Sequence, residues 1–108
     1  MTNLYWKPGP VRAEHKKQVL ETLLSLHDAA QAPGQQGREW ASRRQIQNLA
    51  FGTDLWGADH AMACLWYWLE LGFVERASRG GGRVLYRASA KAVEHRADAA
   101  VFAVECEA

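Results

Sequence analysis

Apolar residues recur every three or four positions between Val11 and Ala30. Val19, Leu23, Leu26 and Ala30 line one face, Leu20 and Leu24 widen it, and Glu14, Lys17, Glu21 and Asp28 take the other side. That spacing predicts an amphipathic helix, stopped by Pro33-Gly34. A polar linker, Gln31–Gly37, follows, then a candidate short strand at Arg38-Glu39-Trp40. Ser42-Arg43-Arg44-Gln45 has the layout of a capping box, in which the serine hydroxyl accepts from the Gln45 amide and the glutamine side chain reaches back. Ala41 and Ile46 fall at the staple positions around it. The second helix is expected to run to about Phe51, burying Ile46, Leu49 and Ala50, with Gly52 closing it.

The turn from Thr53 to Gly57 carries Leu55 and Trp56, which are expected to pack inward. A third, strongly apolar helix follows. Asp59 lies near its first turn, where an acid suits the dipole, and Gly72 ends it as a glycine cap. The period then changes from helical to alternating. Phe73–Arg76 and Arg83–Arg87 read as two strands around Gly80-Gly81-Gly82, whose freedom at positive φ suits a tight turn. Val84 and Tyr86 should share one strand face, Leu85 and Arg87 the other. Ser89 is a candidate N-cap for a last helix, Ala90–Val104, striped by Val93, Ala97, Ala100, Val101 and Val104. Before all of this, residues 1–10 are expected to form an extended arm. Pro8-Gly9-Pro10 forbids a helix there, and Leu4, Tyr5 and Trp6 are expected to pack on the body.

A length of 108 residues fits one domain, divided into an arm (1–10), a core (11–88) and a C-terminal helix (89–105). Such a chain can bury a core without metals or disulfides. Polar or charged residues interrupt every apolar run, so no membrane-spanning segment is expected. The first residues lack a secretory layout. Cys64 and Cys106 follow no metal spacing, so a reducing cytoplasm is the expected compartment.

Charge changes the picture more than composition does. The net charge is only +1, but Arg76, Arg79, Arg83, Arg87 and Lys91 follow one another with no acid between them. A local basic patch on a nearly neutral protein suits a phosphate backbone. Arg43 and Arg44 sit in the first turn of the second helix. There they oppose the macrodipole at a cost of a few tenths of a kcal/mol, roughly, unless an anion binds.

The element order (helix, short strand, helix, helix, hairpin), together with Leu69-Glu70-Leu71-Gly72-Phe73-Val74-Glu75-Arg76, resembles winged helix-turn-helix proteins of the small prokaryotic or phage transcriptional-regulator type. The resemblance spans roughly Glu14 to Ser89. It implies an α+β, mostly α fold: a three-helix core, a short strand pairing with a β-hairpin wing, and here an added C-terminal helix. It also implies that Ala61, Leu65, Trp68 and Leu71 face the core. Asp59, His60, Met62, Ala63, Trp66, Tyr67 and Glu70 would then face the major groove. Base edges are read by hydrogen-bond donors and acceptors, whereas this face offers Met62, Trp66 and Tyr67, with no Lys or Arg between Ala58 and Glu75.

Two functions follow as expectations. In the first, the chain is a DNA-binding transcription regulator. It contacts duplex DNA through Arg43, Arg44, Arg76, Arg79, Arg83 and Arg87, and dimerises through its C-terminal helix. In the second, it is a protein-interaction module, for example an inhibitor or adaptor of a nucleic-acid enzyme, gripping a partner with Met62, Trp66 and Tyr67. Catalysis is not expected. The four histidines are scattered, and His60 with Cys64, four apart on one helix, supplies two ligands where a metal site needs three or four. The three glycines lack the Lys-Ser/Thr of a phosphate loop. No cofactor and no metal are expected.

Overall fold

A computed structural model describes residues 13–52 and 57–96, with side chains described for 15–52 and 61–96. The arm with Leu4, Tyr5 and Trp6, the turn with Leu55 and Trp56, the Asp59 and His60 side chains and everything from Ala97 onward lie outside the described residues. The described elements are α1 (Ala13–Ala29), α2 (Arg43–Phe51), α3 (Gly57–Leu71), β1 (Val74–Arg79), β2 (Arg83–Ala88) and α4 (Ala90–His95). The fold is α+β and mostly helical, with four helices and one antiparallel hairpin among the described residues.

The core forms where the apolar stripes of α1 and α3 meet. Val19, Leu20, Leu23 and Leu24 from α1 are buried with Cys64, Leu65 and Trp68 from α3, and Ile46 joins them from α2. The three helices pack pairwise. Trp68 is fully buried, and its indole N–H donates to the Lys16 carbonyl at 2.8 Å. A buried indole usually needs such a partner, and the bond ties the last turn of α3 to the first turn of α1. Lys16 is itself only 3% exposed. Its ammonium lies 4.0 Å from the centroid of the Tyr67 ring, so its aliphatic stem covers apolar surface while the charge rests on a ring face.

The capping box of α2 is formed as the sequence predicts. Ser42 accepts from the Gln45 amide at 3.2 Å, and the Gln45 side chain accepts from the Ser42 amide at 2.8 Å. What α2 buries differs from the expectation. Leu49 is 62% exposed, and Gln47 is buried beside Ile46 in its place. With about 100° per residue, a helix of nine residues lying on α1 and α3 can bury only one arc. Ile46, Gln47, Ala50 and Phe51 occupy that arc, and Leu49 falls on the opposite side.

Leu71 ends α3 through a Schellman motif. Phe73 N–H donates to the Trp68 carbonyl at 2.9 Å and Gly72 N–H to the Leu69 carbonyl at 3.1 Å, with Gly72 at φ +82°. The accompanying apolar contact is the Trp68–Phe73 ring pair, 5.4 Å between centroids. The first strand therefore starts at Val74 rather than Phe73, whose amide is taken by the cap. The hairpin pairs from Val74↔Ala88 to Arg79↔Arg83 across a Gly80–Gly82 turn, with Gly81 and Gly82 at positive φ.

The expected short strand is displaced by one residue or more. Gly37, Arg38 and Glu39 belong to a turn that the Trp40 amide closes on the Gly37 carbonyl at 3.4 Å, and Ala41 makes the sheet contact, exchanging both backbone hydrogen bonds with Tyr86 at 2.9 and 2.8 Å. A single residue in register leaves too little pattern for alternation to reveal.

Ser89 caps α4 as predicted, accepting from the Ala92 amide. The described turns of α4 fold back on their own domain. Ala92 is fully buried and Lys91 donates to the Leu71 carbonyl at 2.7 Å. Arg96 holds Asp28 at the end of α1 through two bonds of 2.6 and 2.8 Å. This guanidinium keeps the Asp28 carboxyl below the usual aspartate range, chiefly through the hydrogen bond. The C-terminal helix expected to carry a dimer contact is described only as far as Arg96, and that part packs on its own domain, Val93 against the core, while the rest lies outside the described residues.

Candidate nucleic-acid interface

The hairpin turn sets where its arginines fall. A three-residue glycine loop places Arg79 and Arg83 directly opposite each other as the last strand pair, both exposed. Like charges opposite one another in an antiparallel pair are destabilising by a few tenths of a kcal/mol to about 1. The turn beside them is bare: a methyl group added at Gly80, Gly81 or Gly82 would meet nothing within 4 Å. The hairpin tip is therefore narrow and doubly cationic.

Pairing and alternation separate the other two hairpin arginines. Arg76 is paired with Tyr86 and exposed. Arg87 is committed internally. Its Nε donates to Glu75 across the strands at 2.9 Å and its Nη1 to Glu39 at 3.3 Å. The same guanidinium lies 4.4 Å from the Trp40 ring centroid, and Arg79 lies 5.3 Å from it. Trp40 thus sits against the outer face of the hairpin between two guanidinium groups. The two acids balance Arg87 and leave Arg79 without an acidic partner among the described residues.

The second cluster lies at the start of α2, a helix without an acid in its first turn. Arg43 is half-buried and donates to Gln47 at 3.3 Å, whereas Arg44 is exposed. α2 also packs on β2.

The structure divides the three residues considered for a partner surface. Trp66 is 44% exposed. Met62 and Tyr67 are half-buried and packed against the core, Tyr67 edge-on to Trp68. Of the four residues expected to face inward, Ala61, Leu65 and Trp68 are fully buried and Leu71 partly so. Ala63, expected on the outward face, is buried at 6% exposure, because α2 and α1 both pack on this helix.

Sequence reasoning missed Trp40 as the brace of the hairpin and Glu39 and Glu75 as partners of Arg87. The Glu75–Arg87 pair becomes visible once the turn length fixes the register. The Glu39 contact depends on a turn that carries no pattern. Among the described residues, no three His, Cys, Asp or Glu side chains come together as metal ligands do, and no helix is long and apolar enough to cross a membrane. Comparison with protein-family models, with curated proteins and with solved structures gave no match.

Proposed function

We propose that this chain is a winged helix-turn-helix protein that binds duplex DNA, a small transcriptional regulator of the prokaryotic or phage type. The observation that carries the reading is the opposed pair Arg79–Arg83 at the end of a glycine-tipped hairpin. Two cations held face to face cost stability in the free protein, and a phosphate backbone repays that cost. The Ala41–Tyr86 bridge supports the fold assignment, since it adds a third strand position beside the hairpin, between α1 and α2. In this reading Arg43, Arg44, Arg76, Arg79 and Arg83 supply the contacts, and Arg87 positions Trp40 and the hairpin. The functional unit is a homodimer formed through the C-terminal segment beyond Arg96, where Ala97, Ala100, Val101 and Val104 are small enough for close helix approach.

The test is a gel-shift series on duplexes at low salt. Binding is expected, with log affinity falling linearly against log salt. Absence of binding to every duplex sinks the reading. A second reading rests on a different observation, the exposure of Trp66 and Leu49 at 44% and 62%: the domain docks a protein partner. Trp66→Ala separates the two. Loss of a co-purifying protein with duplex affinity unchanged favours the partner.

A further inference from the structure

Among the described side chains, the outward side of α2 is polar in a way that the outward side of α3 from Ala61 onward is not. Arg44, Gln45, Asn48 and Leu49 are all exposed, whereas Ile46, Gln47, Ala50 and Phe51 are buried or half-buried. At about 100° per residue these four cover one continuous arc of about 140°. Arg44 and Asn48 stand one helical turn apart on it, as neighbours at i and i+4. Neither side chain engages another among the described residues. Gln45 is spent differently, its Oε1 held by the Ser42 amide. The arc carries one arginine, Arg44, and no acid, with half-buried Arg43 beside it, so it complements a polyanion. On α3 the exposed described residues are Trp66 and Glu70, an aromatic and an acid, neither suited to phosphates.

Arginine and asparagine are the side chains whose geometry matches guanine and adenine. A guanidinium donates twice to guanine O6 and N7, and a carboxamide accepts from adenine N6–H while donating to N7. We infer that α2, and not α3, is the helix that reads base sequence, with Arg44 contacting a guanine, Asn48 an adenine, and exposed Leu49 lying against a thymine methyl at the edge of the same arc. This rests on the DNA-binding reading above and assigns its sequence-determining residues. It also explains why Leu49 is left outside the core. Arg43, held by Gln47 at 3.3 Å, then remains for the phosphate backbone.

The experiment is selection from a randomised duplex pool using the full chain, followed by anisotropy titrations on the selected site and on single-base variants of it. The wild type is expected to enrich a short motif containing a guanine and an adenine. Asn48→Ala should lose about tenfold in discrimination at one adenine position, and Arg44→Ala a similar factor at one guanine position, while Glu70→Ala and Trp66→Ala leave the motif unchanged. Arg44 and Asn48 are exposed, so circular dichroism and melting of both variants should match the wild type. Duplex binding without any motif, or a motif that shifts with the α3 variants and not the α2 variants, overturns this inference while the DNA-binding reading stands. A uniform loss of affinity on all sequences in Arg44→Ala and Asn48→Ala, with the motif intact, overturns it as well. No binding to any duplex removes both.

Discussion

The two short-range neighbours α2 and α3 spend their residues in opposite ways. Within α3, Ala61, Ala63, Cys64, Leu65 and Trp68 are buried, and only Trp66 and Glu70 are exposed among its described side chains. In α2, Ile46 and Gln47 are the buried residues, and Arg44, Gln45, Asn48 and Leu49 face solvent. The difference follows from what each helix touches. The longer helix lies against α1, α2 and β1, so its side chains are claimed by packing on several sides. The shorter one lies on the flank. The more central helix leaves fewer of its described side chains on the surface.

The strongest test of this contrast is Trp68→Ala. Removing a fully buried indole that also bonds the Lys16 carbonyl should cost about 3–5 kcal/mol in urea unfolding. A loss under roughly 1 kcal/mol would mean that α3 is not the central helix. Next in size, Arg79→Ala with Arg83→Ala should weaken duplex binding on every sequence and reduce the salt slope by about one unit per arginine. Thermal stability should stay level or rise slightly, because the opposed charges are gone. An unchanged salt slope would break the assignment of the tip.

Ser42→Ala should lower stability by about 1 kcal/mol, since it removes the acceptor of the α2 capping box. A larger loss would show that α2 is less peripheral than its burial implies. Trp66→Ala, at 44% exposure, should cost less than about 1 kcal/mol. A loss comparable to that of Trp68→Ala would return Trp66 to the core.

The smallest effect concerns the ion pair between α1 and α4. Asp28 has its folded-state value depressed by Arg96. Its contribution is present above the ordinary aspartate range and is lost as pH falls through the depressed value. Asp28→Asn should therefore melt slightly below the wild type at neutral pH. The two melting curves should converge in acid, and high salt should shrink the gap.

Periodicity made much of this legible. α1, the capping box at Ser42, the glycine end of α3, the hairpin and the Ser89 cap were all readable because each rests on a local rule that the chain obeys within a few residues. The inward positions Ala61, Leu65 and Trp68 came from the resemblance, and they are buried. Less was legible where geometry depends on docking. Leu49 reads as core from composition, and only the angle at which α2 lies on its neighbours puts it outside. The sheet residue is Ala41 rather than Arg38–Trp40 because a one-residue bridge has no alternation. For the candidate interface, the tip pair Arg79–Arg83 follows from turn length, whereas Arg87 reads as one more free cation until Glu39 and Glu75 are placed around it. Trp40 had no signal beyond its own bulk.

The roots of the hairpin carry a mechanical consequence. Ser89 N–H donates to the Phe73 carbonyl at 3.0 Å and Ser89 Oγ to the Gly72 carbonyl at 2.6 Å, while Lys91 holds the Leu71 carbonyl. The incoming and outgoing strands are thus stitched to each other and to the end of α3, and Ala41 clamps β2 partway along. A projection fastened in this way behaves as a cantilever: its amplitude of motion grows toward the tip and its base moves only with the body. Amide exchange should follow that gradient. Gly81 and Gly82 should exchange at rates close to free peptide, and the amides of Phe73 and Ser89 only through events that open the whole domain. Arg79 and Arg83 ride near the free end of that beam, so they can yield to the contour of a surface while their mutual spacing stays set by the strand pair.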